Sequence, residues 1–182
     1  TFLPDLFYRA GEVSFPTDEP PPPEARRLND ETTWQMSVAD IGAFLAAVEA
    51  PRLFATAGYC MGARHALAAA ARHPQRIRSC AMLHGGRLVT DVETSPHRLI
   101  AELTGPAYVA FAADDPTCPP EHLAILRQSL EASPLPHRID AFAAHHGFMF
   151  PERDVYDPAV AKQATAAMLS LFKTTLTEAC AP

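Results

Sequence analysis

The sequence predicts an α/β protein, a three-layer α/β/α sandwich whose central sheet is mostly parallel. Short apolar runs alternate along the chain with segments of helical periodicity, a pattern typical of a parallel sheet covered on both faces. The runs begin near Leu53, Ile77, Pro106 and His137. With 182 residues, 48% of them hydrophobic, the chain can bury a substantial core, and we interpret residues 1–182 as one domain.

Helical signals occur in four segments. Residues 37–49 place apolar side chains on one face, and Ser37 is a fair N-cap for this helix. Residues 63–72 are rich in alanine and follow the first apolar run. A proline pair, which favours a helix start, precedes the predicted helix over residues 121–131. The last helix is predicted over residues 158–175.

The N-terminal part of the chain has weaker signals. Residues 1–9 resemble the end of a strand that runs into a loop. Residues 11–33 contain a run of four prolines at 20–23 among charged residues, which favours an extended surface segment. A solvated loop and a lid over the site are both compatible with this segment.

Charge and composition exclude several partners. The net charge of −6 gives no basic surface for nucleic acid. No apolar run approaches the roughly 18 residues that a membrane span needs, and no segment resembles a signal peptide. The four cysteines show neither CxxC nor other metal-ligand spacing, so free thiols in a reducing cytoplasm are expected, without a metal.

The most informative stretch is Gly58-Tyr59-Cys60-Met61-Gly62, between the first apolar run and the alanine-rich helix. This is the nucleophile elbow of hydrolases, with cysteine in the serine position. A sharp strand-to-helix turn crowds the backbone, and we expect a Cβ at either flanking glycine to clash. The helix N-terminus favours a thiolate at Cys60.

A thiol nucleophile needs a base, and the base needs an acceptor that orients its ring. On this elbow the partners follow in the order nucleophile, acid, histidine. Here Cys60 is followed by Asp114 or Asp115 after the third run and by His145 or His146 after the fourth. Ligands bind at the carboxyl ends of parallel strands, so these groups are expected to meet.

Within each pair one residue is favoured. Asp115 precedes a proline and lies further into its loop, so we prefer it as the acid. His146 is followed by Gly147, which leaves the backbone free to aim the ring inward. His84 also ends an apolar run and competes for the role of base, but we interpret it as a buried histidine bonded to backbone.

The oxyanion of a tetrahedral intermediate needs preorganised donors, and the backbone N–H of Met61 is the first candidate. A second donor normally comes from a loop after an earlier strand. No such strand is visible in this sequence, which begins at Thr1 without an initiator methionine. Either a segment was removed or the numbering starts inside a longer domain.

The sequence resembles the dienelactone hydrolase family of the α/β-hydrolase fold over essentially its whole length. Separated motifs occur in the family's order, and the spacing through Arg153 and Tyr156 also fits. The motifs are Pro4-Asp5-Leu6-Phe7-Tyr8-Arg9, the Cys60 pentapeptide, His84-Gly85-Gly86, Asp115-Pro116 with Pro119, and His146-Gly147-Phe148.

The resemblance implies a triad of Cys60, Asp115 and His146 that hydrolyses an ester or lactone through an acyl-thioester, without a cofactor. The small-molecule substrate is not expected to be dienelactone itself. Met149-Phe150 does not reproduce the arginine that grips its carboxylate in the founding enzymes. Arg9 is the candidate carboxylate clamp. The family's first strands, its second oxyanion donor and its resting-state glutamate have no counterpart in this sequence.

We therefore expect a cytoplasmic carboxylic ester hydrolase, monomeric or homodimeric, in which Cys60 attacks, His146 transfers protons and Asp115 holds the imidazole. One alternative is a catalytically silent relic of the fold that binds a small molecule or a protein. A thiol redox protein is another alternative, which the lack of a resolving cysteine close to Cys60 disfavours.

Overall fold

The computed structural model of the protein describes residues 1–16, 18–49 and 52–178. Its centre is a four-stranded sheet in the order β1-β2-β3-β4, and each strand pairs in parallel with the next. The prediction of four parallel strands is confirmed. Their bounds are β1 Phe54–Tyr59, β2 Ile77–Leu83, β3 Ala107–Asp114 and β4 His137–His145.

Helices cover both faces of the sheet. The α-helices are α1 Pro23–Glu31, α2 Trp34–Ala47, α3 Gly62–Arg72, α4 Pro120–Glu131 and α5 Pro158–Glu178. Two short 3₁₀ segments, Tyr8–Ala10 and Pro96–Glu102, complete the described secondary structure. None of the helices in the described ranges is both long and apolar enough to cross a bilayer.

The strands send alternate side chains to two cores, as the period of two in a strand requires. Toward α2, α3 and α4, β2 and β3 present Cys80, Met82, Val109 and Phe111. Toward α5 they present Ala81, Leu83, Tyr108 and Ala110. Both faces of the sheet are therefore buried, which gives the predicted three layers.

Helix α3 packs closest to the sheet because its inward side chains are small. Ala63, Ala68 and Ala69 are completely buried, and Leu67 fills the space between them. Alanine also has the highest helix propensity, so the same residues favour the helix and its close approach. This position brings the N-terminus of α3 to the end of β1.

The N-terminal nine residues are not the end of a strand, and that prediction is wrong. Residues 1–5 have no regular structure, and a single 3₁₀ turn follows. Phe2 instead packs edge-on against Phe44 of α2 and Phe54 of β1, with ring centroids 4.8 and 6.0 Å apart. Phe2 thus packs beside the sheet without pairing with it, whereas Leu3 is exposed.

The proline-rich segment contains a helix that the sequence interpretation missed. Helix α1 begins at Pro23, the last proline of the run, because proline fits the first turn, where its missing N–H is not needed. Leu28 anchors the helix and is buried. Of the predicted loop, the described residues 11–16 and 18–22 contain no helix or strand.

Helix α2 begins earlier than predicted, and Ser37 is not its N-cap. Thr33 caps the helix, and its hydroxyl accepts a hydrogen bond from the N–H of Met36 at 3.4 Å. Ser37 lies inside the helix, where its buried hydroxyl contacts Nδ1 of His65 at 2.7 Å. The Ser37 hydroxyl, which suggested an N-cap, therefore contacts His65 instead.

The two glycines of the elbow are not equivalent. A Cβ on Gly58 would overlap the carbonyl oxygen of Gly62, whereas a Cβ on Gly62 would meet nothing within 4 Å outside its own helix. The expected clash therefore holds for Gly58 and is wrong for Gly62. The close approach of strand and helix requires glycine only on the strand side.

We expect Gly58→Ala to destabilise the protein by about 3 kcal/mol or more, because backbone atoms cannot move aside as a side chain can. Gly62→Ala is the matched control and should leave the free energy of unfolding unchanged or raise it by up to about 1 kcal/mol. Denaturant unfolding of both variants measures the difference. Equal stability of the two variants would contradict the close approach.

Candidate active site

Three polar side chains meet at the carboxyl edge of the sheet. Cys60 directly follows β1, Asp115 follows β3 and His146 follows β4. Because the strands are parallel, the ends that carry these residues lie on the same edge.

The backbone at Cys60 is held in an unusual conformation. Its φ is +50°, a backbone conformation that residues other than glycine rarely adopt. The next residue, Met61, already has helical angles. The N–H of Cys60 donates to the carbonyl of Leu83 on β2 at 3.0 Å, which fixes the turn. Strain of this kind costs about 1–3 kcal/mol and is concentrated at functional sites.

A continuous chain of hydrogen bonds joins the three side chains. Nε2 of His146 lies 3.1 Å from Sγ of Cys60. Nδ1 of the same ring lies 2.7 Å from Oδ2 of Asp115. One imidazole therefore bridges a sulfur and a carboxylate, the arrangement needed to move a proton at the sulfur.

Asp115 is held by a residue that the sequence interpretation did not single out. Its Oδ1 accepts from the N–H and the hydroxyl of Thr117, at 2.8 and 2.7 Å. The carboxylate side chain is completely buried, so these bonds replace the water it would otherwise bind. The signal was present in the sequence, since an aspartate often accepts from the backbone two residues on.

The neighbouring candidates lie outside this chain of hydrogen bonds. Asp114 and His145 pair with each other at 2.9 Å on the surface, where most of each side chain is exposed. They are register partners on β3 and β4. The structure brings together Cys60, Asp115 and His146 and leaves Asp114 and His145 on the solvent side.

The site favours a charged sulfur beside a charged imidazole. Burial raises the pKa of the Cys60 thiol, and the hydrogen bond and charge of His146 act against it. The backbone N–H of Met61 and the charge of Arg153 lower it further, and the net pKa lies below its ordinary value. Burial lowers the pKa of His146, but its bonds to Asp115 and Cys60 raise it overall to about 9.

The other described thiols have the opposite character. Burial raises the pKa of Cys80 and of Cys118 to about 12, and the charge of Asp115 adds to the effect at Cys118. Cys180 lies outside the described residues. Among the described cysteines, only Cys60 has a thiol pKa below its ordinary value.

His84 is buried as expected, but the expected bond to backbone is wrong. Within the described residues neither of its ring nitrogens has a hydrogen-bond partner. Its ring instead packs edge-on against His146, Phe148 and Phe150, with centroids 5.0 to 5.3 Å apart. Burial and the charge of His146 lower its pKa to about 3, so this ring is neutral and His146 alone carries the proton.

Arg9 does not join the hydrogen bonds of this site. Its two terminal nitrogens bind the carboxylate of Asp40 on α2 at 2.5 and 2.6 Å, and its guanidinium stacks over Tyr8. Because an existing carboxylate already engages this arginine, the structure offers no support for it as a substrate clamp. Nor do the described residues contain a cluster of three or more His, Cys, Asp or Glu side chains that could hold a metal ion.

Comparison with known proteins shows which family the chain belongs to. The model of the dienelactone hydrolase family matches residues 1–176. The chain belongs to the dienelactone hydrolase family. No curated protein shows significant similarity to the sequence.

Solved structures agree with this membership and identify the α/β-hydrolase fold. A candidate dienelactone hydrolase from Klebsiella pneumoniae has 25% identity and a TM-score of 0.77; the match covers 92% of this chain and 72% of that protein. The protein m3DLH has 21% identity and a TM-score of 0.67, with 84% and 67% covered. A dienelactone hydrolase-like promiscuous phosphotriesterase from metagenomic libraries has 20% identity and a TM-score of 0.57, with 66% and 52% covered.

We expect Asp115→Asn to lower the pKa of His146 by at least about one unit, because the variant removes the charge that the imidazolium faces. Asp114→Asn is the matched control, since it removes the same charge from the adjacent residue, which pairs with His145. A titration followed by NMR of the His146 ring measures both. Equal shifts in the two variants would contradict the assignment of Asp115 as the partner.

Proposed function

We propose that the protein hydrolyses carboxylic esters or lactones, with the thiolate of Cys60 as nucleophile. The observation that supports this most strongly is the unbroken chain from Sγ of Cys60 through His146 to Asp115, at 3.1 and 2.7 Å. Membership of a hydrolase family supports the same reaction class.

In the acylation step the thiolate attacks the carbonyl carbon and the carbonyl π electrons move to oxygen. The backbone N–H of Met61, which stabilises the resting thiolate, becomes free to stabilise this oxyanion as the sulfur charge is consumed. The oxyanion then collapses, the C–O bond to the alcohol breaks, and Nε2 of His146 gives its proton to the leaving oxygen. The acyl group remains on Cys60 as a thioester.

In the deacylation step the now neutral His146 accepts a proton from a water molecule. The hydroxide attacks the thioester, the C–S bond breaks, and the acid leaves. The sulfur departs as a thiolate, and the protonated His146 remains beside it. Asp115 keeps Nδ1 protonated throughout and holds the ring in one orientation. The resting ion pair is thus restored with atoms and charge balanced.

Cys60→Ala is expected to lower kcat/KM for a p-nitrophenyl ester by at least about 10³-fold, because no other described thiol is a thiolate at neutral pH. Cys80→Ala removes a thiol from the core and serves as the control, with activity close to that of the unsubstituted protein. Steady-state hydrolysis by the folded proteins measures both. Turnover that survives Cys60→Ala would overturn the role of Cys60, and no turnover by the unsubstituted protein would favour a binding relic.

The pH dependence of kcat/KM follows from the two shifted pKa values. The reactive form needs a thiolate, which exists above the lowered pKa of Cys60, and an imidazolium, which exists below the pKa of His146, about 9. Activity should therefore rise at a pH below the ordinary thiol pKa and fall through about pH 9. A profile that rises only near the ordinary thiol pKa would contradict the resting ion pair.

A further inference from the structure

A cavity of about 180 Å³ lies between the end of α1, the starts of α2 and α3, and the segment that follows β2. It has room for a polyatomic group rather than for a single water molecule. Cys60, Asp115 and His146 are not among its lining residues, so it is separate from the proposed nucleophile. Most of the residues that line it are polar or charged, which indicates a polar ligand.

Arg64 contributes a buried positive charge to this cavity. The residue is only 8% exposed, and Nη2 donates to the backbone carbonyl and to the side-chain oxygen of Asn29, at 2.6 and 2.8 Å. Both acceptors are neutral, and no carboxylate among the described residues forms an ion pair with Arg64. A buried charge is normally paired, because desolvation is costly without a counter-charge. The guanidinium therefore lacks a counter-charge that an anion can supply.

Part of the same guanidinium is available to a ligand. Asn29 engages Nη2 alone, and within the described ranges Nε and Nη1 of Arg64 have no hydrogen-bond partner. These nitrogens belong to a planar group whose donors match the spacing of oxygens in a phosphate or a carboxylate. Arg64 can thus hold α1 through Asn29 and bind an anion in the cavity at the same time.

The start of α2 and a buried hydroxyl supply further donors. Thr33, Trp34 and Gln35 are the N-cap and the first two residues of this 14-residue helix, and all three line the cavity. In the part of the chain that the structure describes, the N–H groups of Trp34 and Gln35 have no partner, as is usual in a first turn. Oγ1 of Thr90 is buried and also lacks a partner there. Because an unpartnered buried hydroxyl is costly, it indicates a partner outside the protein chain.

The net charge of the cavity is positive. Its charged lining residues are Asp30, Arg64 and Arg87. Asp30 and Arg87 form an ion pair with each other, and more than half of each side chain is exposed. The charge of Arg64 therefore remains without compensation, and the positive end of the α2 dipole adds to it.

We propose that this cavity binds a phosphate group, either inorganic phosphate or the phosphate of a small monoester. The donors come from three directions: Arg64 on α3, Thr90 after β2, and the N-terminus of α2. A tetrahedral phosphate has an oxygen for each direction, whereas a planar carboxylate has only two oxygens. The site does not include Cys60, so the inference is independent of the proposed function.

The chain carries its own reporter of this binding. Trp34 is the only tryptophan in the sequence, and it lines the cavity. Inorganic phosphate, glycerol 3-phosphate and acetate are titrated at constant pH and ionic strength while the fluorescence of Trp34 is recorded. Either phosphate should give a saturable change, and the one that binds more tightly identifies the source of the group. Acetate should bind at least about tenfold more weakly, because it lacks the third oxygen.

Arg64→Met should raise the Kd for phosphate by at least about tenfold, because the variant removes a charged donor. Arg27→Met is the matched control: it removes the same charge from an exposed position on α1, where Arg27 pairs with Glu31, and should leave the Kd unchanged. Thr90→Val should also raise the Kd. It should not lower the thermal stability of the unliganded protein, since the hydroxyl has no partner among the described residues.

A second measurement does not depend on fluorescence. A ligand that binds only the folded state raises its melting temperature, so phosphate should raise the Tm of the unsubstituted protein and of Arg27→Met but not of Arg64→Met. The proposal is overturned by the absence of a saturable change at up to about 10 mM of both phosphates. It is equally overturned by acetate binding as tightly as phosphate, or by equal Kd values in Arg64→Met and the unsubstituted protein.

Cys60→Ala separates this site from the proposed reaction. The variant should bind phosphate with an unchanged Kd, because Cys60 does not line the cavity. A loss of phosphate binding in Cys60→Ala, with the fold intact, would contradict a separate site. Failure of the unsubstituted protein to hydrolyse esters would instead count against the proposed reaction and would leave phosphate binding as predicted.

Discussion

The partly buried contact between the sulfur of Cys60 and the imidazole of His146 is the interaction on which the account of this site depends. Burial alone would keep both groups neutral, because desolvation raises the pKa of the thiol and lowers that of the imidazole. At Cys60 the contact with His146, the N–H of Met61 and the charge of Arg153 together reverse the effect of burial on the pKa. At His146 the hydrogen bond to the buried carboxylate of Asp115, together with the contact with Cys60, reverses it. Thr117 in turn satisfies that carboxylate. The pair is stable only as part of this longer chain.

The sheet makes that chain geometrically available. Each member follows a different parallel strand, so no local sequence contact could bring them together. Tight packing of β1 against α3 requires Gly58 and forces Cys60 to a φ of +50°. The same small residues that let α3 approach the sheet bring the N-terminus of α3 to Cys60. The packing of the core and the position of Cys60 thus both depend on the close approach of α3 to β1.

Sequence patterns were informative where they reflected the periodicity of apolar residues and the order of the strands along the chain. Apolar runs predicted the central strands β2 and β3, because strands buried on both faces are apolar almost throughout. The edge strand β4 carries Arg138 and Asp140 and was predicted from its shorter apolar stretch. Strand order predicted which polar residues would meet. Sequence patterns failed where a tertiary contact determined the role of a residue or where one residue type is compatible with two structures. The run of prolines masked α1, because proline marks both an extended segment and a helix start. Ser37 looked like a cap but contacts His65, and the packing of His84 against three rings depends on tertiary contacts that periodicity cannot show.

The central claim is that the resting protein holds an ion pair of thiolate and imidazolium. The most direct test is the ultraviolet absorbance of the thiolate, titrated with pH as the difference between the unsubstituted protein and Cys60→Ala. The account predicts that the absorbance rises at a pH below the ordinary thiol pKa, because His146 stabilises the charged sulfur. An absorbance that stays low until the pH reaches the value of an ordinary thiol or higher would contradict it.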